Sequence, residues 1–254
     1  MGHFKPSLRL LFCVLVCLSE MSVSFAAEVS VAVAANFAAP MQKIAAAFEQ
    51  ETGHKAVLAL GSTGKFYAQI SNGAPFQVFL SADDETPQRL VRDGLALGSS
   101  RFNYARGRLV LWSLQAGLID DAGAILRSER VDRLALADPR LAPYGAAAIE
   151  TLQSLGLLQR WQSRFVQGEN IAQAYQFVAT GNAAIGFVAL SQVMSEQRIR
   201  QGSGWVVPAH LHSPIRQDAV LLNPGRNQPA ALALMDFLKT DKARTIIRSY
   251  GYEI

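Results

Sequence analysis

The sequence predicts an α/β protein in which helices cover parallel β-sheets. Short runs rich in valine, leucine and alanine alternate with segments whose apolar residues recur every three to four positions. Turn-forming residues separate the two kinds of segment, and the sequence shows no internal repeat or low-complexity tract. Strands that alternate with helices in this way favour parallel sheets with helices on their faces.

The strand and helix patterns can be placed along the chain. Asn36 is predicted to cap the first helix, and residues 197–208, with Gly202 and Gly204, are predicted to form an exposed loop. The predicted strands are 29–33, 56–60, 77–80, 109–112, 134–137, 184–189 and 218–222. The first predicted helix begins at the Asn36 cap and ends at Gly53. The other predicted helices cover 66–70, 87–93, 146–155, 171–178 and, as one or two helices, 230–248.

The first 26 residues have the features of an export signal. Lys5 and Arg9 form a basic start, and 8–18 is an apolar run far shorter than the ~20 residues that span a bilayer. Ser24 and Ala26 place small residues where a signal peptidase reads the chain. We therefore expect cleavage after Ala26 and a periplasmic mature protein.

Both cysteines, Cys13 and Cys17, fall in this leader, so the mature chain is predicted to contain no disulfide. Phe12 and Val16 precede them where a lipid-attachment site needs a small residue, and Glu20 disfavours an uncleaved anchor. The formal net charge of +4 is small and scattered. It does not indicate a nucleic-acid partner and would at most help to attract an anion.

Four predicted strand-to-helix turns carry small or polar residues. Each turn presents backbone N–H groups at a helix start, where the helix dipole also favours an anion. Taken singly, each turn is explained as well by an ordinary cap, a tight turn or a half-buried aromatic. Their number in one α/β chain favours an anion site. The turns are Ala35-Asn36, Gly61-Ser62-Thr63-Gly64, Pro143-Tyr144-Gly145 and Glu169-Asn170-Ile171.

The same segments resemble bacterial periplasmic molybdate-binding proteins, the capture subunits of molybdate ABC transporters. The resemblance runs from about residue 29 to residue 252, nearly the whole predicted mature chain. Its most specific motifs are Val31-Ala32-Val33-Ala34-Ala35-Asn36-Phe37, Gly61-Ser62-Thr63-Gly64, Asn72-Gly73-Ala74-Pro75, Phe79-Leu80-Ser81-Ala82-Asp83, Ala142-Pro143-Tyr144-Gly145 and Gly186-Phe187-Val188-Ala189-Leu190.

The resemblance implies a type II periplasmic binding protein-like fold, with two α/β lobes and a ligand cleft between them. Residues 27–106 plus 213–254 would form the first lobe and 107–212 the second, after a signal peptide at 1–26. The implied protein is a monomer and not an enzyme, has no cofactor, and carries molybdate or tungstate to a membrane permease.

The resemblance also implies the oxyanion contacts. They are Ala35 and Asn36 after the first strand, Ser62 and Thr63 in the small-residue turn, Tyr144 after a proline, and the backbone N–H of Ile171. The metal of the oxyanion would be held through its oxygens by Asn36, Thr63, Tyr144 and Ile171. Many family members have serine at the positions of Asn36 and Thr63. Many also carry a tyrosine where this chain has Ala189, so here the hydroxyl is expected from Tyr144 instead.

Three other functions remain open at this point. A hydrolase is disfavoured because no Gly-x-Ser-x-Gly motif is present and nothing places His54, His210 or His212 near a serine. The pair His210 and His212 could be half of a metal site, although loop histidines are the simpler interpretation. The other two functions, a sulfate, phosphate or organic-anion binder and a periplasmic sensor, keep the same fold.

Overall fold

The computed structural model describes residues 26–195 and 198–254. The predicted export signal, with both cysteines and the positions before the cleavage point, lies outside these residues apart from Ala26. The strands in chain order are β1 (Glu28–Ala34), β2 (Lys55–Gly61), β3 (Val78–Leu80), β4 (Phe102–Gly107), β5 (Leu109–Ser113), β6 (Leu134–Ala137), β7 (Phe165–Gly168), β8 (Ile185–Ala189), β9 (Met194–Ser195), β10 (Arg198–Ile199), β11 (Ser203–Val206) and β12 (Ile215–Leu221).

Helices connect most of these strands, and none in the described part of the chain is long and apolar enough to cross a membrane. Short 3-10 turns lie between them, the first at Ala35–Phe37. The α-helices are α1 (Ala38–Thr52), α2 (Thr63–Ser71), α3 (Glu85–Arg92), α4 (Pro143–Ser154), α5 (Leu158–Trp161), α6 (Ile171–Ala179), α7 (Leu190–Val193), α8 (Pro229–Phe237) and α9 (Asp241–Ser249).

Two five-stranded sheets form the centres of two α/β lobes, which confirms the predicted fold class. The first sheet has the order β2-β1-β3-β12-β4 and the second β11-β5-β8-β6-β7. The expectation of parallel sheets holds for β1 with β2 and β3, and for β6 with β7 and β8. It is wrong for β12, antiparallel to β3 and β4, and for β5, antiparallel to β8 and β11. Both strands enter their sheet from the other lobe, without the helical crossover that makes neighbouring strands parallel.

The first helix shows how the sequence builds a lobe. Phe37, Met41, Ile44 and Phe48 recur at helical spacing, and all four are fully buried against the sheet. Burial of a side chain of this kind contributes about 1.5–3 kcal/mol. The helix ends at Gly53, whose φ of 72° is the left-handed conformation that glycine adopts without strain, and whose N–H donates to the Glu49 carbonyl.

The predicted loop at 197–208 is the clearest error in the element assignment. It contains β10 and β11, and β11 pairs with β5 at the edge of the second sheet. Gly204 lies in β11. Glycine is required at this position because a Cβ there would come within 3.0 Å of the Leu111 carbonyl oxygen and closer still to Ile199. In this position glycine permits close strand packing, whereas the sequence pattern suggested a turn.

The lobes are joined where β4 continues into β5 through Arg108 alone, and again where 207–214 leads from β11 into β12. They also make direct contacts. The Gly64 N–H donates to the Leu141 carbonyl (2.9 Å), and the Ser191 hydroxyl donates to the Asn36 carbonyl (2.9 Å). The helix starts of both lobes are therefore held face to face.

Candidate functional site

Four helix starts meet around one narrow cavity between the lobes. The first lobe contributes the turns after β1 and β2, and the second contributes the starts of α4 and α6. None of the residues that line the cavity is charged. The lining residues are Ala34, Ala35, Asn36, Gly61, Ser62, Thr63, Ala82, Ala142, Pro143, Tyr144, Asn170 and Ile171.

All six oxyanion-contact residues named from the sequence lie in this lining. They come from positions as far apart as 35 and 171, and each is at most 8% exposed. The structure therefore brings the whole candidate set together. These residues are Ala35, Asn36, Ser62, Thr63, Tyr144 and Ile171.

Ser62 presents an unpartnered hydroxyl to this cavity. Its Oγ is buried and has no hydrogen-bond partner. The residue is the N-cap of α2 with an extended backbone, yet its side chain makes no capping bond. A buried hydroxyl left unsatisfied costs about 1–3 kcal/mol, so native structures rarely keep one without a reason. A ligand oxygen in the cavity would supply the missing partner.

Thr63 is held differently from its neighbour. Its Oγ1 accepts a hydrogen bond from the Ala82 N–H (3.0 Å) and lies 3.4 Å from the Ser81 hydroxyl. The hydroxyl of Thr63 thus secures the turn after β3. As the first helical residue of α2, Thr63 also has a backbone N–H without an acceptor inside the helix. Between the two residues, Ser62 is the better placed side-chain donor.

Asn36 does not cap the first helix, so that expectation is wrong. A 3-10 turn at Ala35–Phe37 precedes α1, and the N-cap of α1 is Phe37. The Asn36 carboxamide donates instead to Gln217 Oε1 (2.9 Å) and to the Tyr252 hydroxyl (3.0 Å). Both protons of the amide are used, so the backbone N–H groups at the start of the turn are the donors left for a ligand.

Tyr144 is the second residue of α4 and is 1% exposed. Its hydroxyl accepts a hydrogen bond from Gln217 Nε2 (3.1 Å), so its own proton is directed to another acceptor, and the Tyr252 hydroxyl is a hydrogen-bond partner of Tyr144. Burial raises the pKa of Tyr144 well above its ordinary value, and burial likewise raises the pKa of the neighbouring Tyr252 to about 12. Both hydroxyls are therefore neutral donors at physiological pH.

Ile171 offers a backbone donor at the start of α6. The Asn170 carboxamide caps this helix and accepts from the N–H groups of Ala172 (2.9 Å) and Gln173 (3.1 Å). The cap satisfies the second and third helical residues. The N–H of Ile171, the first residue, has no acceptor inside the helix, and Ile171 lies in the cavity wall.

Sequence reasoning missed the polar network behind the cavity. Gln217 and Tyr252 bond to Asn36, the Tyr104 hydroxyl lies 3.0 Å from Gln217 Oε1, and Tyr252 Oη lies 3.0 Å from Ser191 Oγ. One signal was available in β12, where the inward positions alternate as Ile215, Gln217, Ala219 and Leu221. A single polar residue in such a row indicates a buried hydrogen-bond partner.

Ala189 is buried at the end of β8 and is not part of the cavity lining.

A wider cleft opens beside the cavity and has a different character. It is larger than the cavity, and the charged residues in its wall are Asp83, Asp84, Glu85, Glu150, Arg140 and Arg216. Asp83 lies two residues before the start of α3. Its carboxylate accepts from the Thr86 N–H (2.8 Å) at the start of α3, and partial burial raises its pKa above the ordinary value. Carboxylates on the cleft wall make it a poor site for an anion.

The histidine pair does not form a metal centre. His212 Nδ1 lies 2.8 Å from the Ser213 carbonyl oxygen. Within the described residues no group of three or more histidine, cysteine, aspartate or glutamate side chains could hold a metal ion.

A two-lobed α/β fold with a buried, donor-lined cavity between the lobes defines a solute-binding protein. The chain matches the family described as bacterial extracellular solute-binding protein over residues 29–253, and it belongs to that family. It is 56% identical to the molybdate-binding protein ModA of Azotobacter vinelandii over 227 residues, covering 89% of this chain and 90% of that protein. It is 52% identical to ModA of Rhodobacter capsulatus, covering 89% and 88%.

A solved structure gives the same relationship. The periplasmic molybdate-binding protein of Azotobacter vinelandii superposes with a TM-score of 0.86 at 41% sequence identity. The match covers 89% of this chain and 99% of that one. These relatives are solute-binding proteins and not enzymes.

Proposed function

We propose that this protein captures molybdate, and also tungstate, in the cavity between its lobes and delivers it to the permease of an ABC transporter. One observation carries the proposal. Six residues on four helix starts surround a buried, uncharged cavity, and the Ser62 hydroxyl there has no partner. The relatives at 56% and 52% identity are named molybdate-binding proteins, which supports the choice of ligand.

The chemistry of the lining suits a tetrahedral dianion. All oxygens of molybdate accept hydrogen bonds, and the proposed contacts are hydroxyl and backbone N–H donors. Helix N-termini stabilise negative charge without a counter-ion, so no arginine or lysine is needed in the cavity. Sulfate has the same charge and shape but is smaller, and rigid helix starts would contact it less completely. The cavity then selects by size.

The proposal extends to the life of the chain in the cell. The mature protein would begin at Ala27 after export, act as a monomer in the periplasm, and need no cofactor. The strands of the two sheets fall into 28–107 with 215–221 and into 109–206, which supports lobes at 27–106 plus 213–254 and at 107–212. Closure of these lobes around the ligand would give the permease a form to recognise.

The test is calorimetric titration of purified mature protein with molybdate, tungstate, sulfate and phosphate. Molybdate and tungstate should bind one to one, and sulfate and phosphate much more weakly. Sulfate binding as tight as molybdate would overturn the proposal and favour a general oxyanion carrier. An added check is thermal stability, since ligand at about 100 times its dissociation constant stabilises a protein by about 2.7 kcal/mol.

A further inference from the structure

Gln217 lies between a cavity residue of the first lobe, Asn36, and a cavity residue of the second lobe, Tyr144. It is fully buried in β12, at a shift in the register of β12 against β4. Its Nε2 donates to the Tyr144 hydroxyl of the second lobe (3.1 Å), and its Oε1 accepts from the Asn36 carboxamide of the first (2.9 Å). One carboxamide thus contacts a cavity residue from each lobe.

The direction of the bond to Tyr144 decides where the tyrosine proton goes. A phenol hydroxyl can accept from one group and donate to another. Because Gln217 donates to Tyr144, the tyrosine proton must go to a different acceptor. The Tyr252 hydroxyl is one such acceptor, and a ligand oxygen, being charged, is a stronger one. Gln217 itself does not line the cavity, so its influence on a ligand passes through Tyr144 and Asn36.

The space around this bond is tightly filled. A Cβ added to Gly107, the last residue of β4, would lie 2.0 Å from the Tyr144 hydroxyl oxygen and 2.5 Å from Gln217 Nε2. Hydroxyl and amide therefore occupy the volume that any other side chain would take at the crossing between the lobes. The Tyr144 hydroxyl is held by packing on one side and by the Gln217 donor on another.

We propose that Gln217 is a positioning residue for oxyanion capture, which orients Tyr144 and Asn36 and so links the donors of one lobe to those of the other. The inference rests on the proposed function of the cavity. Gln217 lies outside the proposed ligand contacts, and its loss should weaken oxyanion binding mainly through Tyr144.

A double-mutant cycle tests this directly. Gln217→Met keeps an unbranched side chain of similar length and removes the hydrogen bonds to Tyr144, Asn36 and Tyr104. Titration with molybdate should show about a tenfold or greater loss of affinity in the natural background. In the Tyr144→Phe background the loss should be at least about threefold smaller, since coupled residues are not additive.

Two further variants separate positioning from a structural effect. Gln77→Met removes a comparable bond in the same lobe, where Gln77 Oε1 accepts from the Ser30 N–H (2.9 Å), and it should lower thermal stability without changing affinity. Gln217→Glu keeps the shape and the acceptor for Asn36 but takes the Tyr144 proton for itself. It should weaken binding at least as much as Tyr144→Phe, and it serves if Gln217→Met does not fold.

The outcomes are distinct. Equal losses from Gln217→Met in both backgrounds, or an equal loss of affinity in Gln77→Met, would overturn the positioning role while leaving molybdate capture intact. Failure of the natural chain to bind molybdate would overturn the proposed function, and this inference with it.

Discussion

The buried cavity and the open cleft beside it share Thr63, Ala82, Ala142 and Pro143, yet their chemistry is opposite. The cavity is small, uncharged and built from helix starts. The cleft is several times larger and carries four carboxylates and two arginines. Volume alone would favour the cleft as the ligand site. Donor chemistry favours the cavity, because an anion gains there from fixed dipoles that need no reorganisation.

The largest loss of molybdate affinity is expected when a negative charge is placed in the cavity. Ser62→Asp should weaken molybdate binding by about a hundredfold or more, since an uncompensated buried charge costs about 3–5 kcal/mol. The fold should survive because aspartate is a favoured N-cap. The matched variant Ala146→Asp places the same group in the cleft and should change affinity by less than about threefold. Calorimetry that gave the reverse order would move the ligand into the cleft.

Removal of one donor from the second lobe should have the next largest effect. Tyr144→Phe keeps the ring and deletes the hydroxyl, so binding should weaken by about 1.5–3 kcal/mol, or tenfold to a hundredfold. The melting temperature without ligand should fall slightly, since Gln217 Nε2 loses its acceptor. If Tyr144→Phe binds normally and only Tyr144→Ala is impaired, Tyr144 shields the cavity without contacting the ligand.

Ser62 and Thr63 should respond oppositely in stability. Ser62→Ala removes an unpartnered hydroxyl, so it should raise the free energy of unfolding of the ligand-free protein and weaken molybdate binding about tenfold. Thr63→Ala deprives the Ala82 N–H of its acceptor and should lower stability by about 1–3 kcal/mol, with a smaller loss of affinity. Denaturant melts and titrations of both variants measure the contrast. A larger affinity loss in Thr63→Ala would return the ligand role to Thr63.

The ion pair between Lys65 and Glu169 joins the lobes next to the cavity but is exposed. Exposed pairs contribute about 0–1 kcal/mol, so Lys65→Gln should change affinity at most about fivefold, and less at high salt. Glu169→Gln should behave alike, and the double variant should be no worse than either. Strong losses that persist in concentrated salt would mean that Lys65 acts on the ligand itself.

The smallest effect is expected from pH. Neither Tyr144 in the cavity nor Tyr252 behind it should change charge between about pH 6 and pH 9, since the pKa of Tyr144 is raised well above its ordinary value and that of Tyr252 to about 12. Affinity should therefore be flat over that range. Raised pKa values in the folded state favour the protonated tyrosines, so stability is full below about pH 10 and is lost as the pH rises through about 12. Alkaline melts of Tyr252→Phe should show a shallower loss than those of Tyr250→Phe.

Local features of the site were predictable and long-range ones were not. The turn at Gly61-Ser62-Thr63-Gly64 and the start of α6 at Ile171 follow from neighbours within a few positions. The partners of Asn36 lie 181 and 216 residues away, so nothing around Asn36 reveals that its amide is already used. The antiparallel direction of strands β5 and β12 was not predicted, for a related reason. Their direction depends on where the chain crosses between lobes, and local periodicity carries no record of that.

The unpartnered Ser62 hydroxyl has a consequence for transport across the membrane. Closure of the lobes around an empty cavity would leave this hydroxyl buried without a partner, so empty closure would carry a penalty that a bound oxyanion removes. A penalty of about 1–3 kcal/mol shifts the closed population of unloaded protein roughly fivefold to more than a hundredfold. A permease that recognises the closed shape would then seldom dock an empty carrier, and few transport cycles would run without cargo.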